Sequence, residues 1–407
     1  MLCRDEVRSQ SRLFRIAPLL FGSGFCALVY QTTWLREFRL IFGASTAATA
    51  AVLAIFMGGI GVGSAILGRR SELKARPLEF YAKLELMIAA GAVATPIFFW
   101  IIRHAYLAMG GTLTMGFVLG TILRLLMSTL AIGLPTFLMG GTLPAVVRVV
   151  VTAEDANRRS IALLYGINTL GAVAGAVASI FYFFEAWGNH LTLGLAVSLN
   201  VLVALIAFWI SKTVPAIQEE KVRPDRVKAE EGPVAPVGFV LTAAAGAGFA
   251  FLLMELVWYR MLAPLLGGST FTFGLILAVA LSGIGLGGLI YAFGFGDRRV
   301  TLRGFAFVCA LEGLFIAVPY ALGDRIALAT MMLRPLGSLG FYGYVTAWTA
   351  ICVIVTFPAA VISGIQFPML IALIGKSNAR VGSQTGMIYA WNTAGAIMGS
   401  LAGGFGL

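Results

Sequence analysis

The chain is 407 residues long, 59% apolar and 12% charged, with a mean hydropathy of +0.92. Those figures exclude a water-soluble globule, because so many apolar residues have to face lipid. The net charge of +11 raises nucleic acid as a partner, but the basic residues are placed as a membrane protein places them, which excludes that reading too.

The apolar residues arrive in blocks of about 20 or more with few charges, the length a helix needs to cross a bilayer core. In chain order, a first group of predicted spans covers roughly 13–38, 44–68, 79–108, 117–151, 157–184 and 189–211. Residues 212–236 are rich in Glu, Lys, Arg and Pro and read as a cytoplasmic linker. A second group covers roughly 237–262, 268–294, 303–323, 341–375 and 380–405. The expected protein is an all-α polytopic membrane protein with about eleven transmembrane helices. Its sections are residues 1–211, 212–236 and 237–407.

With the N-terminus inside, most of the 29 basic residues fall at the cytoplasmic face, among them Arg15, Arg69, Arg70, Lys74, Arg76, Arg148, Arg158, Arg159, Lys212 and Arg299. Arg36, Arg39, Arg103, Arg124, Arg260, Arg325 and Arg334 lie within helices or at the opposite side. That asymmetry sets the expected orientation. The basic head leads into a span too long for a signal peptide, so no cleavable signal is expected. Cys3, Cys26, Cys309 and Cys352 show no paired spacing and read as small hydrophobes. His104 and His190 are isolated, so neither a metal site nor a cofactor is expected.

Internal repetition is the strongest signal. An offset of 224 residues places Trp34 on Trp258, and it also aligns Gly24 with Gly248, Arg36 with Arg260, Gly43 with Gly267 and Ser45 with Ser269. The register still holds at Pro144 and Pro368, Tyr165 and Tyr389, and Asn168 and Asn392. Chance does not keep one offset over roughly 150 residues. Six spans, an even number, separate the copies, so both enter the membrane from the same side. This parallel repeat is the arrangement of facilitator-like bundles. Leu407 aligns with Phe183, leaving the sixth span without a counterpart, and the chain reads as one whose twelfth helix is missing.

Gly-x-x-x-Gly pairs fall at Gly59/Gly63, Gly171/Gly175, Gly283/Gly287 and Gly395/Gly399, on spans 2, 5, 8 and 11. Small residues four apart make a flat stripe that admits a neighbouring backbone. In a facilitator-like bundle these spans meet between the halves, so the stripes are expected to form the surface on which the halves rock, or else simply to pack tightly.

Asn168 and Asn392 lie near the midplane, one turn beyond Tyr165 and Tyr389, and are expected to bond between helices or to face a polar cavity. Gln31, Trp34 and Arg36 recur as Glu255, Trp258 and Arg260, and the Trp and Arg residues read as interfacial anchors. Glu255 is a carboxylate in hydrocarbon. Its expected roles are pairing within the fold or a proton-coupled binding site. Glu85 and Glu312, early in spans 3 and 9, are expected to pair with loop arginines. Pro135, Pro144, Pro358 and Pro368 interrupt spans 4 and 10.

Several segments resemble the membrane region of the bacterial fused major-facilitator/spermidine synthases. They are Ala27-Leu28-Val29-Tyr30-Gln31-Thr32-Thr33-Trp34-Leu35-Arg36, the glycine-rich second span ending Gly68-Arg69-Arg70, Met139-Gly140-Gly141-Thr142-Leu143-Pro144 and Tyr389-Ala390-Trp391-Asn392-Thr393-Ala394-Gly395-Ala396. The resemblance implies a bacterial inner (cytoplasmic) membrane location and an association with polyamine chemistry. The sequence lacks the strand–helix alternation and the glycine-rich nucleotide turn of a synthase domain, so no catalytic residue carries over and no enzyme activity is expected of these residues.

Two functions follow as expectations. One is a transporter or binding module for a small metabolite, cationic ones such as a polyamine included, using Asn168, Asn392, Tyr165, Tyr389, Glu255 and Gln31. The other is a noncatalytic membrane scaffold that anchors a synthase domain or docks as an accessory subunit in a larger complex.

Overall fold

A computed structural model describes residues 2–42, 46–151, 158–214, 235–267, 269–296, 299–374 and 381–406. The central part of the linker, and Gly43 and Ser45 of the repeat, lie outside the described residues.

The first group of helices is α1 (Leu2–Phe42), α2 (Thr46–Glu72), α3 (Pro77–Ala108), α4 (Gly111–Gly140), α5 (Thr142–Val150), α6 (Arg159–Ala178), α7 (Phe184–Ala186) and α8 (Gly188–Ser211). The second is α9 (Val237–Leu266), α10 (Thr270–Ile290), α11 (Leu302–Leu322), α12 (Asp324–Leu333), α13 (Phe341–Leu373) and α14 (Val381–Leu401). A π-helical segment, Ser179–Phe183, joins α6 to α7 in one span, and another, Ala402–Gly406, continues α14 at the matching place of the repeat.

Among the described residues ten helical segments are long and apolar enough to cross a membrane. The eleventh expected span, α14, has the length but is less apolar, because Ser383, Gln384, Thr385, Asn392, Thr393 and Ser400 interrupt it. It is packed between α2 and α9, where small and polar residues serve better than leucines. Large apolar side chains such as Trp100, Leu130, Trp209 and Phe307 point outward, as a lipid-facing surface requires.

Helix pairings recur between the halves. In the first, α1 packs on α6, α2 on α4 and α3 on α4; in the second, α9 packs on α14, α10 on α13 and α11 on α13. The halves meet where α2 lies against α14 and α6 against α10. The repetition extends to single atoms. A Cβ at Gly63 would strike the Phe137 carbonyl, and one at Gly287 would strike the Val361 carbonyl, each pair 224 residues from the other. Gly24 and Gly248 meet the carbonyls of Asn168 and Asn392 in the same way.

These contacts fit the tight-packing reading of the glycine stripes and not the placement between the halves. Gly59 and Gly63 face Thr136 and Phe137 of α4, Gly171 and Gly175 face Phe21 and Phe25 of α1, Gly283 and Gly287 face Ala360 and Val361 of α13, and Gly395 and Gly399 face Ala245 and Phe249 of α9. Each stripe therefore binds a helix of its own half. The seam between halves uses other glycines: Gly61 against Thr393, Gly68 against Gly382 and Gly386, and Gly285 against Gly166 and Leu170. Gly61 lies two residues from Gly59, about 200° around the helix, so α2 is narrow on opposite faces and fits between α4 and α14.

The tryptophans are not interfacial anchors. Trp34 is fully buried, stacks on Tyr30 with ring centroids 5.4 Å apart and donates its Nε1–H to Thr95 Oγ1 at 3.1 Å. Trp258 is equally buried, against Phe251. The prolines also act unequally. Gly141 divides α4 from α5, placing Pro144 in the first turn of α5 where its missing N–H costs little, whereas α13 continues through Pro358 and Pro368.

Candidate functional site

A small cavity of about 50 Å³ lies among α6, α9, α10, α13 and α14, room for a few waters. Tyr165 lines it from the first half; Gly248, Phe251, Ser363, Gln366 and Asn392 line it from the second. Asn392 is fixed there by donating its Nδ2–H to the Ala244 carbonyl at 3.1 Å, an interhelical bond. Tyr165 stacks on Phe367 at 4.5 Å, and Tyr389 meets the same ring edge-on at 5.6 Å. The two repeated tyrosines are thus brought together through one phenylalanine, but only Tyr165 reaches the cavity.

Asn168, the repeat partner of Asn392, packs against Gly24 of α1 away from the cavity. Glu255 is 6% exposed and has no hydrogen bond or ion pair among the described residues. Arg260 forms no salt bridge with it. It lies on α9 one turn beyond Phe251 and Leu252, which line the cavity, and does not itself line it. Gln31 is half-buried at the matching place on α1 and does not line the cavity.

Glu85 departs from its expected pairing with loop arginines. Its carboxylate accepts from Ser23 Oγ at 2.6 Å and from the Asn200 amide, whose oxygen in turn accepts from Tyr30 at 3.1 Å. These donors are neutral, and they lie inside the first half because Glu85 is fully buried, one to two turns beyond the reach of the loop. Glu312 sits at mid-length of α11 and accepts from Gln366 Nε2 at 2.6 Å.

Gln366 and Ser363 are cavity residues that the motif reading missed. A signal existed: the repeat offset places Gln366 on Thr142, within Gly140-Gly141-Thr142-Leu143-Pro144 matched to Gly364-Ile365-Gln366-Phe367-Pro368. A long amide replaces a short hydroxyl at the centre of a segment whose flanking glycine and proline are kept.

The two ends of the bundle differ. Where α1, α3, α6, α9, α11 and α14 begin, one apolar core joins the halves, with Leu20, Tyr81, Val147 and Ile161 beside Ala244, Tyr291, Leu370 and Ile388. Toward the other end the buried residues separate into two cores. One holds Trp34, Phe38, Phe99 and Ile132 of the first half, and the other Trp258, Leu262, Ile351 and Val355 of the second.

Three solved structures similar to this one are transporters. A bacterial homologue of the iron transporter ferroportin in an outward-facing state matches with a TM-score of 0.57 at 13% identity, covering 97% of this chain and 91% of that one. The major facilitator superfamily proton:xylose symporter XylE bound to 6-bromo-6-deoxy-D-glucose matches at 0.56 and 11%, covering 98% and 88%. The human organic anion transporter MFSD10 (TETRAN) matches at 0.54 and 12%, covering 97% and 95%. The fold is a major-facilitator-like fold. No protein-family model and no curated protein sequence matches the chain.

In this facilitator-like fold the joined end carries a polar latch. Glu72, at the end of α2, accepts the Ser383 backbone N–H at 2.8 Å and pairs with Arg148 Nε of α5 at 3.0 Å. Arg148 also donates to the Ser71 and Lys74 carbonyls. A carboxylate at the start of α14 meets the positive end of that helix, so Glu72 ties the halves by charge as well as by geometry. Glu72→Gln is expected to weaken the joined end by about 1–3 kcal/mol, seen as a lower melting temperature. Glu79→Gln, at the exposed Lys83 pair, serves as the control. Equal effects from both would show that Glu72 is an ordinary surface charge.

Proposed function

We propose that the protein is a secondary transporter of a small solute, working by alternating access around the cavity at Tyr165, Gln366 and Asn392. The observation that carries this reading is the unequal joining of the halves: one shared core with a polar latch at one end, two separate cores at the other. Two rigid halves meeting along the α2–α14 and α6–α10 seams, which reach the far end where Gly274 faces Ile180 and Phe271 meets Phe181, can exchange which end is joined by a shared core. The basic residues Arg69, Arg70, Lys74, Arg159 and Lys212 stand at the joined end, so with positive charge inside, the joined end is cytoplasmic. Glu255 would serve such a site as a carboxylate that no protein cation neutralises.

The test needs no knowledge of the solute. Leu252→Cys puts a reporter thiol in the cavity lining, and Ser71→Cys with Gly382→Cys places two thiols across the latch, in a background without native cysteines. In vesicles, a membrane-impermeant maleimide is expected to label the reporter thiol at position 252 from either side. Oxidising the latch pair should slow labelling from the cytoplasmic side by about tenfold or more, the effect of shifting a two-state equilibrium by at least about 1.4 kcal/mol, and reduction should restore it. Labelling from one side alone, indifferent to the latch, would refute alternating access.

The small size of the cavity favours a second reading, a membrane scaffold related to the fused facilitator/spermidine synthases whose motifs the sequence shares. In that case the reporter thiol would stay unlabelled from both sides, and the protein would purify with a synthase domain or another membrane subunit.

A further inference from the structure

The cavity has a chemical polarity that the repeat does not supply. Gln366 lies between Glu312 and the cavity, with Nε2 donating to Glu312 Oε2 at 2.6 Å. The NH₂ end of the amide is the end that can donate to a carboxylate oxygen, and it is the end that faces Glu312. Gln366 Oε1 is thereby turned away from Glu312. That oxygen is buried and has no hydrogen-bond partner among the described residues, on a side chain that is 1% exposed and lines the cavity. A buried carbonyl oxygen left without a donor is destabilising, and a ligand that supplies an N–H removes that cost.

The surroundings specify the charge of that ligand. No lysine or arginine lines the cavity. Behind Gln366 stands Glu312, and one turn along α9 stands Glu255, both buried and neither in a salt bridge among the described residues. The rings of Tyr165, Phe251 and Phe367 supply π-faces, which attract a cation in a desolvated site. An anion would meet the unpartnered Gln366 carbonyl oxygen, with Glu312 behind it. A divalent metal would find Glu312 already engaged by Gln366 and no group of three or more His, Cys, Asp or Glu side chains among the described residues to hold it.

We propose that the cavity binds a protonated primary amine, its ammonium N–H donating to Gln366 Oε1 and its charge balanced by Glu312 and Glu255. This rests on the transporter reading and names its substrate class. The cavity of about 50 Å³ accommodates the ammonium head, and the rest of an amine would extend toward the end where the two halves have separate cores. Glu312 is a positioning residue: it fixes which end of the amide the solute meets.

The test uses the full chain in lipid nanodiscs and compares ethylammonium chloride with ethanol, sodium acetate and manganese chloride at matched ionic strength. Ethylammonium is expected to raise the melting temperature, while the others leave it unchanged. Gln366→Met keeps the size of the side chain and removes the acceptor, and should weaken ethylammonium by about tenfold. Glu312→Gln keeps the hydrogen bond but frees the amide to turn over, and should weaken it likewise while preserving the fold. Equal shifts with ethanol or acetate, a manganese response in place of the ammonium response, or an ammonium shift that survives both substitutions would overturn the proposal. Side-to-side labelling of the Leu252→Cys variant without any ammonium response would leave the transporter standing and remove only its substrate class. An ammonium response without alternating labelling would do the reverse.

Discussion

Gly63→Leu is expected to leave no monodisperse folded protein. Any Cβ at Gly63 meets the carbonyl, carbonyl carbon and Cα of Phe137, which are backbone atoms of α4 and cannot turn aside as a flexible side chain would. Helix α2 would have to move off α4, and because α14 holds its other face through Gly61 and Gly68, that motion also opens the seam between the halves. Overpacking a core ordinarily costs about 1–3 kcal/mol; a backbone collision at two interfaces should exceed that, against a total stability of only about 5–15 kcal/mol. Gly287→Leu should be as damaging, since Val361 and α13 repeat the contact. Gly246→Ala has nothing near its added carbon and should be neutral or slightly stabilising. Size-exclusion profiles of the three variants decide the matter. A normal profile for Gly63→Leu would mean that α2 and α4 are not in contact as described.

Glu255→Leu is expected to raise the melting temperature. A buried carboxylate at helix-centre depth costs about 2–3 kcal/mol when no cation or donor meets it, and leucine removes that cost while adding apolar contact beside Phe251 and Trp258. Sites that bind charge keep such costly groups at the expense of stability. The same substitution should shrink the ethylammonium-induced shift, separating the gain in stability from the loss of binding. A lowered melting temperature would show that Glu255 is held by a partner and supports the fold. Glu85 is the contrasting case: with Ser23 and Asn200 satisfying it, Glu85→Leu should destabilise by stranding those polar groups.

The fold was legible in the sequence because its causes are local or repetitive. Blocks of about 20 apolar residues dictate spanning helices, and the 224-residue offset dictates two like halves. The offset even carries to single contacts, such as Gly24 on Asn168 and Gly248 on Asn392. Spacing alone could not say which neighbour a stripe of glycines meets: four-residue spacing defines a face, and only packing assigned Gly59 and Gly63 to α4 and Gly61 to α14. Burial was similarly out of reach for Trp34, since a tryptophan near a helix end suits a headgroup region as well as a core.

Of the residues lining the cavity, the sequence by itself singled out Tyr165 and Asn392, because polar groups in apolar spans are costly and therefore visible. The tertiary structure decided that Asn168 and Gln31 stand apart from the cavity, and that Tyr389 reaches it only through Phe367. It also brought Gln366 to Glu312 across 54 residues of chain. The physical reason is the same throughout. Hydropathy and period depend on the order of residues along one helix, whereas the donor a carboxylate finds, and the oxygen an amide leaves free, depend on which helices lie side by side.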